Sequence, residues 1–284
     1  MKLAAIAATA WATIFSVAVL AQPAEVTLRI QREPGEALRY GASVSGSGTI
    51  TMLGEERAVD IRGRFTRVER TVSQVEPGVW EVETTIEQPS LTFRAGGKEQ
   101  TMTMPVPALT EVVTDRGRVL EVRGWDAAVA NPGAPGMSDV ARPLFGLIQD
   151  EGLPEGPLKV GDTWTATATL KTAGEPDVRV KQQFELVGWE DVARKSCAKV
   201  RMTATIPVHR TLPPNALGMQ VRLEGSQRIE NTSFLAYQEG KLMRQQTVIN
   251  LDVRTATLLD ASAPERTLPG AISLRVVVAL ELQR

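Results

Sequence analysis

Residues 54–65 read GEERAVDIRGRF, and residues 174–184 read GEPDVRVKQQF. Both stretches open on Gly-Glu and carry apolar residues at matching places, which are Val59, Ile61 and Phe65 in the first and Val178, Val180 and Phe184 in the second. Two further pairs follow at a similar offset of about 120 residues, WEVETTI (80–86) with VRMTATI (200–206) and DRGRVLEV (115–122) with QEGKLMRQ (238–245). Self-similarity at a fixed offset is typical of a duplicated structural unit.

The repeated unit is predicted to be built of β-strands. Apolar and polar residues alternate through most of the chain, as in strands with one buried and one wet face. Tyr40, Ala42, Val44, Ile50 and Met52 share one such face, which Gly46 and Gly48 continue. Glycines inside a strand favour a sharp bend. We therefore expect a mainly β fold of two related, antiparallel, strongly curved, half-barrel-like sheet units, with one short helix between or over them.

Several strand features can be placed along the chain. Glu76-Pro77-Gly78 and Gln238-Glu239-Gly240 read as hairpin turns. The apolar phase shifts from Val59, Ile61 and Phe65 to Val68 and Val72, which predicts a β-bulge between residues 57 and 72. The last strand, 271–282, is apolar on both sides in its middle, so we expect it to be central or covered.

One segment departs from the strand pattern. Ser138 can cap a helix, or the helix can begin near Pro143 instead, and its apolar residues are spaced i, i+4, i+7 and i+8: Val140, Leu144, Leu147 and Ile148. Stretches rich in Pro and Gly flank it. We therefore divide the chain into a first β unit (22–136), the helix with its linker (137–157) and a second β unit (158–284).

The N-terminus predicts export. Residues 3–21 form an uncharged apolar run after Lys2, and Val19 and Ala21 suit the last positions of a cleavage site. We expect residues 1–21 to be a signal peptide and the protein to be periplasmic or extracellular. The alternative is an uncleaved membrane anchor; membrane contact is expected only in that case.

Charge and cysteine content narrow the possible partners. The formal net charge is −1, with acidic and basic residues interspersed, so no nucleic-acid partner is expected. Cys197 is the sole cysteine, which excludes an intramolecular disulfide. We interpret it as a small buried strand residue, since a free cysteine mostly behaves as a buried hydrophobe.

No residue pattern predicts catalysis, a metal site or a cofactor. His209 is the sole histidine, and its Pro-containing context, PVHRTLPP, is typical of a loop. Asp126 and Glu190 each follow a Gly-Trp pair, and paired carboxylates are what glycoside hydrolysis requires. Their position at predicted strand ends favours solvated acids instead.

The string VGDTW (160–164) opens the second unit and, with the DRGRVLEV and QEGKLMRQ tracts, resembles a group of uncharacterised exported bacterial β-repeat proteins. The matching place in the first unit, near Arg39-Tyr40, lacks the Gly-Asp-x-Trp pattern. More remotely, long curved strands with an associated helix are similar in architecture to the LolA- and LppX-like carriers, whose half-barrels hold lipids or lipoprotein acyl chains. The resemblance implies no catalytic residue.

These observations lead to one main functional hypothesis. We expect a non-catalytic envelope protein that binds an apolar or amphipathic ligand, such as a lipid, against the helix face formed by Val140, Leu144, Leu147 and Ile148. The alternative is a structural or protein-interaction module of the cell envelope. Hydrolysis by Asp126 or Glu190 is a third hypothesis, and it requires one of them to face another carboxylate across a cleft.

Overall fold

The computed structural model describes residues 23–52, 54–103, 108–124, 152–170, 178–211, 220–258 and 267–283. Almost all of them lie in antiparallel strands, which confirms the predicted fold class. The strands are β1 (Ala37–Met52), β2 (Glu55–Glu76), β3 (Val79–Ala95), β4 (Lys98–Thr103), β5 (Leu109–Thr114), β6 (Val119–Arg123), β7 (Thr163–Leu170), β8 (Val178–Val192), β9 (Lys195–Thr211), β10 (Gln220–Ala236), β11 (Lys241–Leu258) and β12 (Thr267–Leu282). Within the described part of the chain, no helix is long and apolar enough to cross a membrane.

The twelve strands form one sheet, in the order β6-β5-β3-β2-β1-β12-β11-β10-β9-β8-β7, with β4 paired to β3. The order consists of two meanders. The first runs outward from β1 to the edge strand β6, and the second runs inward from the edge strand β7 to β12, which joins them by pairing with β1 and with β11. The last strand is therefore central, as predicted. The two predicted units share a single sheet, while their boundaries in the linker stay predictions, because residues 125–151 lie outside the described ranges.

The matched sequences lie on corresponding strands of the two meanders. The paired apolar residues lie on β2 and β8, and the two seven-residue stretches lie on β3 and β9. Gly117 and Gly240 each lie in a tight turn with positive φ, between β5 and β6 and between β10 and β11. The self-similarity in the sequence thus corresponds to the same strand order used twice.

The VGDTW string forms the turn that begins β7. Gly161 has φ of +93°, a conformation that glycine adopts without a steric penalty. The amide of Asp162 donates to the carbonyl of Lys159 at 3.0 Å, and its carboxylate accepts the Lys159 amide at 2.8 Å. Gly161 and Asp162 then pair with the backbone of Leu186 on β8. Trp164 donates its indole N–H to the carbonyl of Gly152 and stacks on the ring of Phe184. The motif is therefore a strand-starting turn with a core anchor.

The first unit keeps the same turn under a different sequence. Gly35 has φ of +82° and donates to the carbonyl of Thr71 at 2.8 Å, while Thr71 donates to Glu36 at 2.9 Å. These bonds repeat those that Gly161 and Asp162 make with Leu186. The counterpart of VGDTW is thus residues 34–38, with Leu38 in place of the tryptophan, and the expected position near Arg39-Tyr40 was wrong by a few residues.

Backbone contacts at one end of the sheet show how strongly it curves. The amide of Ile30 donates to Asp115 in the β5–β6 turn, and the next amide, of Gln31, donates to Gly240 in the β10–β11 turn. In a flat sheet these two turns would be five or six strand spacings apart, about 24–29 Å. Adjacent Cα atoms are only about 3.8 Å apart. The sheet must therefore curl until the two turns nearly meet.

Two expectations about strands and loops are wrong, and one about a helix falls on residues outside the described ranges. The buried face of β2 keeps its odd-numbered phase through Arg67, Glu69 and Thr71, so the predicted shift to Val68 and Val72 is wrong. The predicted irregularity between residues 57 and 72 is present, because the pairing of β2 with β3 shifts register at 64/66, and further shifts lie at 71/73 and 74/76. His209 lies within β9, not in a loop, because the strand continues past Pro207. The predicted helix, 138–150, lies outside the described residues.

Candidate ligand-binding face

One face of the curled sheet is apolar along nearly its whole width. We call it the concave face, and its buried side chains form one continuous cluster that extends from β1 and β2 to β8 and β9. Its members include Val44, Val59, Ile61, Val180, Phe184, Met202, Ile206, Ile229, Ile249 and Val276. The opposite, outer face of β1 carries the exposed Ser43, Ser45 and Ser47. The alternation seen in the sequence therefore separates an apolar interior from a wet exterior.

Two non-strand segments, 23–36 and 152–162, cover the concave face at one end. Val26 and Leu158 exchange backbone hydrogen bonds of 2.9 and 2.8 Å, and Leu153 donates to Arg116 in the β5–β6 turn at 3.0 Å. Leu28 is 1% exposed within the core cluster. This end is thus a packed cap, fixed at both turns and at the start of β7.

Apolar side chains toward the other end of the strands are only partly buried. They belong to the same face and include Ile50 on β1, Leu91 and Phe93 on β3, and Leu274 on β12. An apolar ligand that packs on these partly exposed side chains removes apolar surface of both molecules from water, which favours binding. This end is the candidate entrance to the concave face.

A buried ionic cluster lies beneath the cap. Arg67 is 2% exposed and contacts Glu69 at 3.0 Å and Glu111 at 3.9 Å. Arg32, from the cap segment, contacts the same Glu69 at 3.2 Å. Thr84 donates its hydroxyl to Glu111 at 3.0 Å. Because Arg32 belongs to the cap and the other four to the sheet, the cluster ties the two together.

The two arginines of this cluster keep the Glu69 carboxylate charged. Burial by itself would raise the pKa of Glu69, but the positive charges of Arg67 and Arg32 outweigh it and hold that pKa below its usual range. Burial, and then the charge of Glu69, raise the pKa of the neighbouring Tyr40 hydroxyl well above its ordinary value. Tyr40 thus stays neutral beside an ionised Glu69. Sequence reasoning missed this cluster, and the one signal for it was the odd-numbered phase of β2, which continues from apolar into charged residues.

The outer face carries a second charged group, around Glu190. Glu190 accepts a hydrogen bond from Lys199 at 3.2 Å and one from Arg244 at 2.7 Å, which together hold its pKa below the usual range. The Arg244 guanidinium lies 4.1 Å from the centre of the buried Phe234 ring. A carboxylate held ionised between two cations lacks the raised pKa of a general acid. The hydrolysis hypothesis therefore finds no support at Glu190, and Asp126 lies outside the described residues.

A shallow groove of about 440 Å³ crosses the outer face of β3, β2, β1 and β12. Gly41 and Ser43 form its floor, and Arg64, Gln88 and Arg244 are among the side chains around it. The groove lies on the polar side of the sheet. It is thus separate from the concave face.

The remaining predicted residues can be placed as follows. Cys197 is fully buried on β9, and burial raises the pKa of its thiol to about 11, which confirms the buried strand residue. The four expected ligand-lining residues, Val140, Leu144, Leu147 and Ile148, lie outside the described ranges, so their role stays a prediction. Among the residues that the structure describes, no three His, Cys, Asp or Glu side chains are grouped as metal ligands.

Comparison with known proteins adds remote structural likenesses alone. No family model and no curated protein matches the chain. A structure of lipovitellin, determined for its lipid–protein interactions, has a TM-score of 0.47 and 11% identity over 89% of this chain, which spans about a quarter (26%) of the lipovitellin chain. DynF, from the dynemicin biosynthesis pathway of Micromonospora chersina, has a TM-score of 0.24 and 12% identity, covering 91% of this chain and 85% of DynF. At these values neither likeness assigns a function to the chain.

Proposed function

We propose that the protein is a non-catalytic binding protein for an apolar or amphipathic ligand, such as a lipid, which it holds against the concave face of its sheet. The observation that carries the proposal is the curled, continuous apolar face, capped at one end and partly accessible at the other. Ligand sites of this kind are concave and mostly apolar, with few polar groups.

The cap explains why the ligand would enter from one end. Backbone hydrogen bonds and the buried pair of Arg32 with Glu69 hold segment 23–36 in place. Opening this end would separate a buried charge pair, which is costly. Toward the other end, the described part of the concave face carries partly buried apolar side chains, such as Ile50 and Leu274. A ligand can cover these side chains without separating Arg32 from Glu69.

We further propose that the protein acts outside the cytoplasm. The support is the sequence alone, namely the apolar run at residues 3–21 and the small residues Val19 and Ala21. Sequencing the N-terminus of the protein after expression in a bacterial host tests this. We expect the mature chain to begin at Gln22, and a chain that keeps Met1 would contradict cleavage.

Ligand binding can be tested on the wild-type protein and two β1 variants. Lipids that co-purify are extracted with organic solvent and identified by mass spectrometry, and the delipidated protein is titrated with the fluorescent apolar probe N-phenyl-1-naphthylamine. Ile50→Asp places a charge on the concave face, whereas Ser47→Asp places the same charge on the outer face of the same strand. We expect Ile50→Asp to weaken probe binding by about tenfold or more, since an unpaired charge opposes burial of an apolar ligand.

The control separates binding from folding. Ser47→Asp should bind the probe as the wild type does, and circular dichroism should show the same strand content in all three proteins. A wild-type protein that yields no lipid and binds no probe would overturn the proposal. Equal probe binding by both variants would place the site elsewhere than on the concave face.

A second candidate function, a protein-interaction module, is favoured by the edge strand β6. Its Leu120 and Val122 are 52% and 42% exposed, and an edge strand offers unpaired backbone groups to a partner strand. A photo-crosslinking residue placed at 120 tests it, with Ser45 on the outer face as the comparison site. A discrete cross-linked partner from site 120 alone would support an interaction role.

A further inference from the structure

Gln182 is the most unusual polar side chain of the concave face. It lies on β8 with 0% exposure, between the core residues Val180 and Phe184 of the same face. Neither its amide nitrogen nor its amide oxygen has a hydrogen-bond partner among the described residues. A buried amide without partners loses its hydration and gains nothing in return, so such a group calls for an explanation.

The cross-strand neighbours of Gln182 offer its amide no polar group. Its partners across the strands are Ala166 on β7 and Ala204 on β9. Directly opposite residues on one face of a sheet have Cβ atoms about 4.5–5.5 Å apart, so these two methyl groups are the nearest side chains on either side. Alanine ends at Cβ, and the longer glutamine side chain therefore extends above both neighbours into the interior.

The repeat supplies an independent comparison. Gly35 pairs with Thr71 and Gly161 pairs with Leu186 in the two equivalent turns. Four residues before Thr71 lies Arg67, and four residues before Leu186 lies Gln182. Counted from these turns, both units thus carry a fully buried polar side chain at the corresponding position.

The two positions differ in what faces them. Arg67 has Glu69 and Glu111 within salt-bridge distance. The place of Glu69, two residues further along β2, is taken by Phe184 on β8, so Gln182 has an aromatic ring where Arg67 has a carboxylate. In the first unit the guanidinium of Arg67 is paired with two carboxylates, whereas in the second unit the amide of Gln182 has no partner among the described residues.

We infer that Gln182 is the polar anchor of the ligand site, and this inference rests on the proposed function. The anchor pairs with one uncharged group that both donates and accepts a hydrogen bond, a hydroxyl or an amide, on a ligand that is otherwise a hydrocarbon. The amide of Gln182 offers both a donor and an acceptor, which matches such a group. An ionised head group is disfavoured here, because Val180, Phe184, Ala166 and Ala204 offer it no counter-charge.

The test compares two probes of the same length, decan-1-ol and 1-chlorodecane, as competitors that displace N-phenyl-1-naphthylamine from the delipidated full-length protein. The measured quantity is the ratio of their affinities in the wild type and in Gln182→Met, which replaces the amide by an apolar side chain of similar length. We expect the preference for the alcohol to fall about fivefold or more in Gln182→Met, the ratio that corresponds to losing one hydrogen bond.

A control substitution and a second measurement keep the outcomes separate. Asn231→Leu removes a buried amide that is already bonded to Thr247 and Ser233, so it should leave the alcohol preference unchanged and lower the unfolding temperature. Gln182→Met should unfold at or above the wild-type temperature, since it removes an unpartnered amide. Gln182→Leu serves as a second variant if the methionine variant does not fold.

The possible failures can be told apart. If the wild type binds neither probe, the proposed function fails. If the wild type and Gln182→Met bind both probes with the same preference, the protein binds apolar ligands but Gln182 is not the anchor. If Gln182→Met lowers the unfolding temperature without changing the preference, a buried water satisfies the amide, and the inference is overturned.

Discussion

Arg67 and Glu69 show how a β face can pass from apolar to ionic without leaving the core. Both lie on the buried side of β2, in phase with Val59, Ile61 and Phe65. Two arginines share Glu69, so its charge is compensated from the sheet and from the cap. Removing one partner of a buried ion pair leaves the other uncompensated, which makes this cluster sensitive to substitution.

We predict that Glu69→Gln lowers the free energy of unfolding by about 3 kcal/mol, because Arg67 and Arg32 lose their common partner. Urea unfolding followed by circular dichroism measures the change. Glu87→Gln is the matched control, since the exposed pair of Glu87 with Arg39 should contribute less than about 1 kcal/mol. Equal effects of the two substitutions would contradict the role assigned to the buried cluster.

The same carboxylate predicts an acid dependence. The folded pKa of Glu69 is lowered, so its contribution to stability is present above its unfolded pKa of about 4.3 and is lost as the pH falls through the folded value. We expect the stability of the wild type to fall below about pH 4 more steeply than that of Glu69→Gln. Urea midpoints between pH 3 and pH 7 give the comparison, and parallel curves would rule out Glu69 as a contributor.

Cys197 should be chemically silent in the folded protein. It is fully buried, and its thiol pKa of about 11 leaves little thiolate at neutral pH. We predict that 5,5′-dithiobis(2-nitrobenzoate) at pH 8 modifies Cys197 of the folded protein no faster than the protein unfolds. In urea, where the thiol is exposed, the reaction should be rapid. A fast reaction under native conditions would show that the β9–β10 region opens locally.

At the scale of single elements, glycines in the long strands allow neighbouring backbones to approach closely. A Cβ at Gly48 would lie 2.0 Å from the carbonyl oxygen of Ser273 on β12, so the two backbones approach more closely than any other residue allows. A Cβ at Gly225 would lie 2.1 Å from the carbonyl of Asp252 on β11. The bend that the sequence predicts at Gly48 stays a prediction, whereas the close approach of the two backbones there is observed.

We predict that Gly48→Ala destabilises the protein by about 2–4 kcal/mol, since the clash is with backbone and β1 must separate from β12 to relieve it. Gly188→Ala is the control, because no heavy atom lies within 4 Å of its added Cβ. Thermal unfolding of both variants gives the result. A Gly48→Ala variant as stable as Gly188→Ala would mean that the two strands are not held this closely.

The hairpins were predictable because turn chemistry is local. Glu76-Pro77-Gly78 and Gln238-Glu239-Gly240 connect adjacent strands as the sequence indicated. The phase of β2 after Phe65 was predicted wrongly, because Val68 and Val72 are apolar while the residues that the fold buries are Arg67 and Glu69. Hydrophobicity does not reveal a buried charge whose partners come from β5 and the cap.

For the whole molecule, the central strand couples the two units. β12 pairs with β1 over Tyr40–Thr51 and with β11 over Arg244–Leu258. Separating the units would expose two long strand edges and part of the concave face, and such edges invite association with other chains. The cap adds a second link, because segment 23–36 of the first unit bonds to Leu158 and to the β10–β11 turn of the second.

We therefore predict a single cooperative unfolding transition. Tryptophan fluorescence and far-ultraviolet circular dichroism should give the same midpoint in urea, and the calorimetric and van't Hoff enthalpies should agree. Leu28→Ala, in the cap, should lower the urea midpoint of both signals together, because it lowers the free energy of unfolding by about 2–5 kcal/mol. Two separate transitions would show that the units fold independently.

The sequence by itself determined the fold class, the presence of a repeated β unit and a central or covered position for the last strand, because alternation, turn residues and self-similarity are local or periodic signals. Only the tertiary structure decided that both units share one sheet, that its ends curl together under a cap, and that Arg67 and Gln182 occupy equivalent buried places with opposite surroundings. Those properties depend on contacts between residues far apart in the chain, such as Ile30 with Asp115 and Gln31 with Gly240, which no local pattern encodes.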